Sequence, residues 1–142
     1  DVAAATGADG VHIGADDLPV PGVRRVIGPR ALVGRTAHSL DEARAAAVAG
    51  ADYLGVGPCF PSTTKSFGEQ APREFLAAVP REIGLPAFAI GGVSPERLDE
   101  LFALGLTRVA VAAAITEAAD PAAAAAGFMA RLEALRPART EG

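Results

Sequence analysis

The sequence predicts an α/β fold: a parallel sheet with helices outside it. Three observations carry that prediction. Short unbroken apolar runs alternate with stretches of helical spacing, the pattern of strands that are covered on both faces. The runs centre on Val11, Leu32, Tyr53, Phe88 and Val109, about 21, 21, 35 and 21 residues apart, and a step of about 21 holds one strand, one helix and two short turns. Related phrases also precede strands: Gly7-Ala8-Asp9, Gly50-Ala51-Asp52 and, in the equivalent place, Gly105-Leu106-Thr107. An open doubly wound sheet and a closed eight-stranded barrel both fit this alternation. No G-x-G-x-x-G follows a strand and the five units are alike in make-up, which favours a (β/α)8 TIM-barrel type, here an incomplete barrel of about five strands.

Taken in order, Asp1 to Thr6 reads as the end of a helix, stopped by Gly7, which tolerates a left-handed backbone. Val11-His12-Ile13-Gly14 is the first strand and runs into an acidic turn, Ala15-Asp16-Asp17-Leu18-Pro19. Val20 to Ile27 is a helix closed by Gly28-Pro29, and Ala31 to Thr36 is the second strand. Ser39-Leu40-Asp41-Glu42 is a capping box in which serine and glutamate satisfy each other's backbone donors, opening an alanine-rich helix that ends at Gly50. Tyr53 to Gly57 is the third strand. Arg73 to Val79 reads as a helix and Leu85 to Ile90 as the fourth strand, with Gly91-Gly92 directly after it. Ser94-Pro95-Glu96 predicts a helix start, and Leu98, Leu101 and Phe102 give that helix its apolar face. Arg108 to Ala112 is the fifth strand. Asp120-Pro121 opens a last helix carrying Phe128, Leu132 and Leu135 inward, and residues 137–142 read as a frayed tail.

Composition narrows the function. Half of the 142 residues are hydrophobic, ample for a packed core, and the formal net charge is −4 with no basic run, so nucleic acid is not an expected partner. The single cysteine, Cys59, excludes an internal disulfide and fits a reducing cytoplasm. No signal sequence and no apolar run of membrane-spanning length stands in the chain, so a soluble cytoplasmic protein without a membrane partner is expected. The chain opens at Asp1 inside a helical pattern, without an initiator methionine. Five units also fall about three short of a closed barrel. Both features suggest part of a longer protein.

The polar residues collect just past the carboxyl ends of the predicted strands, where such barrels carry their sites. The third strand breaks at two prolines and opens into Ser62-Thr63-Thr64-Lys65, inside the one long step. Hydroxyls, turn N–H groups and one ammonium suit a phosphate or pyrophosphate; a polar surface loop is the plainer reading. Gly91-Gly92 before a capped helix is a second phosphate seat, completed by the backbone at Ala112-Ala113, or else a tight turn. Asp17 suits a magnesium ion, which takes few carboxylates, or is a solvated cap. Thr36 offers a hydroxyl at the end of the second strand. His12 reads as a packed, hydrogen-bonded core residue, His38 as an acid/base candidate of second rank, and Cys59 as a small buried residue.

These motifs, with Gly34-Arg35-Thr36-Ala37-His38-Ser39, Ala89-Ile90-Gly91-Gly92 and Val109-Ala110-Val111, resemble thiamine phosphate synthases from about Asp1 to Leu135 in order and spacing. The resemblance implies that residues 1–136 are the C-terminal part of a TIM-barrel domain. It implies a transferase that joins hydroxymethylpyrimidine pyrophosphate to thiazole phosphate with Mg²⁺, releasing thiamine phosphate and pyrophosphate. By position, Asp17 resembles a magnesium ligand and Lys65 the pyrophosphate lysine, while Thr36 replaces a serine that contacts the pyrimidine. Ser62, Thr63 and Thr64 match the loop around the thiazole, and Gly92, Ala112 and Ala113 its phosphate seat. Lys65 and Thr36 are the catalytic candidates. The implied reaction is dissociative and needs no protein nucleophile. Ala15 and Ala113 depart from a common glutamine and serine, and the family's first magnesium aspartate falls before Asp1.

Two other readings stay open. Thiazole tautomerase shares the barrel and a Gly-Arg-Ser/Thr-x-His-Ser stretch, in which the histidine matters. The chain alone also fits a non-catalytic fragment that associates with a partner or with itself through open sheet edges. Low synthase turnover is expected from these 142 residues alone.

Overall fold

The computed structural model describes residues 1–61 and 70–136. Ser62, Thr63, Thr64, Lys65 and the expected tail at 137–142 therefore lie outside the described residues. A first helix α1 (Val2–Thr6) ends on Gly7 at φ 64°, as the glycine predicts. Five strands follow, β1 (Gly10–Ile13), β2 (Leu32–Ala37), β3 (Tyr53–Val56), β4 (Ala87–Ile90) and β5 (Val109–Ala110). They pair in sequence order and all run parallel. Between and after them lie α2 (Val20–Ile27), α3 (Leu40–Val48), α4 (Arg73–Glu82), α5 (Leu98–Ala103), α6 (Ala113–Thr116) and α7 (Pro121–Leu135). β1 and β5 each keep one edge unpaired among the described residues, so the barrel is not closed.

Alternation along each strand sorts the side chains into two layers. Ile13, Val33, Ala37, Leu54, Val56, Ala87 and Ala89 face the helices and are buried. Val20 and Val23 of α2, Phe75, Leu76 and Val79 of α4, and Leu98 and Leu101 of α5 pack against them. Complete burial of a side chain such as Leu54 stabilises the fold by about 1.5–3 kcal/mol. The core is therefore the layer between sheet and helices. The opposite, concave face of the sheet is open: Leu32 stays 53% exposed there.

Several local expectations change. In the capping box Ser39 Oγ accepts the Glu42 N–H at 3.2 Å, but the Glu42 carboxylate takes the His38 N–H at 2.8 Å, one residue earlier than the reciprocal bond predicts. Helix α4 continues three residues past Val79 with Pro80 inside it. Ser94 makes no capping bond; a 3₁₀ turn over Pro95–Arg97 comes first and α5 starts only at Leu98. The nearby Ser94 hydroxyl and the backbone of Glu96 hold the Glu96 carboxyl below its ordinary pKa. Strand β5 keeps two residues of the expected five, Val109–Ala110, and α6 begins shortly after it at Ala113.

Candidate active site at the carboxyl ends of the strands

Parallel strands in sequential order deliver all five carboxyl ends to one rim. At the end of β1 a tight turn folds back. The Gly14 N–H donates to Asp17 Oδ2 at 2.7 Å, so one carboxylate oxygen is held over the strand end. Asp17 is exposed, and its Oδ1 has no partner among the described residues. Within those residues no group of three or more His, Cys, Asp or Glu side chains could hold a metal. Asp17 thus offers one donor oxygen rather than a cage, which suits Mg²⁺, a cation that takes one or two carboxylates beside phosphate oxygens and water.

The concave face carries the second cluster. His12 pairs in register with Gly34, Gly34 with Tyr53, Thr36 with Gly55, and Gly55 with Phe88. The two glycines supply no side chains, so neighbouring rings lie over them. A Cβ at Gly34 would stand 2.1 Å from Tyr53 Cζ and 2.5 Å from His12 Nδ1. The His12 and Tyr53 rings are 5.5 Å apart, and Tyr53 meets Phe88 edge-on at 5.6 Å. Across Gly34, His12 Nε2 reaches Thr36 Oγ1 at 2.9 Å. The expectation of a core histidine is corrected here: His12 is hydrogen-bonded but solvent-accessible, on the open face rather than in the helix-covered core. Partial loss of water around the ring lowers its pKa, with the Asp17 charge working against that.

The third group joins β2, β3 and β4. His38 Nδ1 donates to the Gly57 carbonyl at 2.6 Å; a carbonyl only accepts, so Nδ1 carries a proton and the ring presents its Nε2 edge away from that bond. Past β3 the chain stays beside the end of β4, with Cys59 N–H on Ile90 O at 2.9 Å and Phe60 N–H on Gly91 O at 3.1 Å. Gly92, at φ 62°, faces this segment: a Cβ there would lie 2.3 Å from the Pro61 carbonyl oxygen. The close approach that requires glycine is therefore by the chain's own backbone. Arg97, which sequence reasoning passed over, spreads its guanidinium 4.6 Å from the Phe60 ring centroid and reaches the Gly92 carbonyl at 3.4 Å. A cation five residues past the Gly-Gly turn was the available signal. At Ala112 the carbonyl accepts from Ile115 and Thr116, opening α6 and leaving its first N–H groups without helical partners.

Asp17, Thr36, Gly92, Ala112 and Ala113 thus stand at the carboxyl ends of β1, β2, β4 and β5, on one rim. Among the described residues, the side-chain hydrogen bond on the open face is that between His12 and Thr36. A cavity of about 400 Å³ lies at the opposite ends of β4 and β5, between Pro80, Leu85, Leu106 and Arg108, away from this rim.

A sequentially ordered parallel sheet, helices on one face and polar groups at the carboxyl ends define the class of (β/α)-barrel proteins. The chain belongs to the thiamine monophosphate synthase family, whose model matches residues 1–115. It is 48% identical to thiamine-phosphate synthase of Anaeromyxobacter dehalogenans over 98% of this chain and 63% of that protein. It is 43% identical to thiamine-phosphate synthase of Gloeobacter violaceus over 93% of this chain and 39% of that protein. The solved thiamine phosphate pyrophosphorylase from Pyrococcus furiosus superposes with a TM-score of 0.84 at 33% identity, over 96% of this chain and 65% of that one. The chain therefore spans less than two thirds of the length of each of these relatives.

Proposed function

We propose that this rim is part of a thiamine phosphate synthase, a transferase that joins hydroxymethylpyrimidine pyrophosphate to thiazole phosphate and releases pyrophosphate. The observation that carries the reading is the gathering of Asp17, Thr36 and Gly92 at the carboxyl ends of one parallel sheet in a chain of this family. Thr36 contacts the pyrimidine. Gly92 and the N–H groups at Ala112 and Ala113 receive the thiazole phosphate. Ser62, Thr63 and Thr64 complete the thiazole side, and Lys65 neutralises the leaving pyrophosphate. The second Asp17 oxygen would hold Mg²⁺ as one ligand among several. A bound Mg²⁺ supplies Lewis-acid stabilisation of charge on the departing pyrophosphate. Residues 1–136 form the C-terminal part of the barrel domain, and the protein is cytoplasmic.

Calorimetric titration with hydroxymethylpyrimidine pyrophosphate and Mg²⁺ tests the reading. Binding that weakens at least about tenfold in Thr36→Val supports it, that being the size of a lost hydrogen bond to a charged or polar ligand. Absence of binding, or binding indifferent to Thr36, refutes it. Thiazole tautomerase is the second reading, favoured by the His38–Gly57 bond, which fixes the ring through Nδ1 and leaves Nε2 for a proton transfer. His38→Ala in the complete enzyme separates the two: loss of tautomerisation with synthase turnover kept would favour the second. A non-catalytic fragment that self-associates through the unpaired edges of β1 and β5 would elute as an oligomer and turn over neither substrate.

A further inference from the structure

We propose that His12 is a positioning residue for the pyrimidine substrate, acting through Thr36: it ties down one hydrogen bond of the hydroxyl so that the other is aimed from the open face at a polar group of the heterocycle. This inference rests on the synthase reading for its ligand, but its geometric half stands independently.

A threonine at a strand end ordinarily turns its hydroxyl to a nearby backbone group. Here the Thr36 hydroxyl meets a ring nitrogen 24 residues away, at 2.9 Å. Reaching it requires the His12 side chain to lean over the neighbouring strand β2, and the chain leaves room for that. Gly34, directly opposite His12, leaves the path clear, and any Cβ there would meet Nδ1 at 2.5 Å. Gly55, opposite Thr36, leaves the far side clear: its missing Cβ would lie 3.1 Å from His12 Cε1 and 3.3 Å from Nε2. Tyr53 closes the slot from the third strand. The imidazole thus lies over two glycines and beside one ring, open to solvent, and among the described residues its hydrogen bond is the one from Nε2 to Thr36. A hydroxyl has one proton and two lone pairs. With one of these engaged by the imidazole, the direction of the remainder is no longer free, and a ligand that binds it does not have to order the rotor first.

The test uses His12→Phe, His12→Gln, Thr36→Val and the double variant His12→Phe/Thr36→Val. His12→Phe keeps a ring over Gly34 without a nitrogen; His12→Gln places an amide within reach of Oγ1. Titration with hydroxymethylpyrimidine pyrophosphate and Mg²⁺ is expected to show about tenfold weaker binding for His12→Phe. Most of that loss is expected back in His12→Gln, and the double variant should bind no worse than Thr36→Val alone. Losses that multiply in the double variant, or unchanged binding in His12→Phe, overturn the proposal. A second arm needs no substrate and no variant at His12: nitrogen NMR of the His12 ring in the parent and in Thr36→Val. A shift of the Nε2 resonance is expected, and identical spectra overturn the link. Failure of the parent to bind the pyrimidine refutes the synthase reading, while the ring-nitrogen arm still decides whether His12 holds Thr36.

Discussion

Replacing Asp52 by alanine should loosen the end of the sheet opposite the rim. Asp52 Oδ2 accepts from Arg24 Nη2 at 2.7 Å and from the Val33 N–H at 2.7 Å. Arg24 also donates to the Ala31 carbonyl at 3.0 Å and the Gly50 carbonyl at 2.7 Å. One carboxylate and one guanidinium therefore tie α2, the start of β2 and the turn before β3. The two side chains are 26% and 35% exposed, so the ion pair itself is worth no more than about 1 kcal/mol. The larger loss is the charge-assisted bond to the Val33 amide, about 1.5–3 kcal/mol when an N–H is left without its acceptor. Together these give about 2–3 kcal/mol, or roughly 7–10 °C in melting temperature for a domain of this size. Burial alone would raise the Asp52 pKa, but the Val33 N–H and Arg24 outweigh it and hold the carboxyl below its ordinary value of 3.8. Its stabilisation is therefore complete above that value and fades as pH falls through the lower folded one. Melts followed by far-ultraviolet circular dichroism at pH 7 and at falling pH should show a full gap between parent and D52A at pH 7 that narrows below about pH 4. Melting within about 1 °C of the parent at pH 7, or a gap that widens in acid, would refute the reasoning.

Three further outcomes follow from the coordinates. Gly34→Ala drives a methyl into Tyr53 and His12; a cost of about 1–3 kcal/mol is expected. Because Tyr53 is the only tyrosine and there is no tryptophan, near-ultraviolet circular dichroism should change with it, and an unchanged tyrosine band counts against the packing described. Gly92→Ala combines a left-handed backbone with a contact at the Pro61 carbonyl, so urea unfolding should show at least about 2 kcal/mol of lost stability. A loss under about 0.5 kcal/mol would mean that the segment after β3 does not rest on Gly92. Cys59 is 5% exposed and burial pushes its thiol up to about 11, so thiol reagents at pH 8 should label it slowly in the native protein and rapidly in urea. Fast native labelling would contradict that burial.

Much of the fold is legible residue by residue. The helix over Val20–Ile27 has the bounds its pattern predicts, Gly7 ends α1, and Asp120 caps α7 by accepting the Ala123 N–H at 2.9 Å. The misses have local causes. The pattern ends a helix at Val79, yet α4 runs through Pro80 to Glu82, with the ring tucked against Gly105, where a Cβ would come within 3.1 Å of it. Ser94 reads as a cap, yet a 3₁₀ turn over Pro95–Arg97 follows it and its side chain makes no capping bond. The recurring Gly-Ala-Asp phrase is legible as a repeat, but only Asp52 meets an arginine; nothing in the phrase separates it from Asp9.

The sequence alone determined the alternation of strands and helices, and with it the rim that Asp17, Thr36 and Gly92 share, because apolar periodicity, glycine stops and caps act over a few residues. The tertiary structure alone decided what faces what. His12 looks like any polar residue in a short apolar run until pairing sets it opposite Gly34 and one strand from Thr36. Strand register is a long-range property: it fixes which side chains are missing next door, and hence where a ring is free to lie.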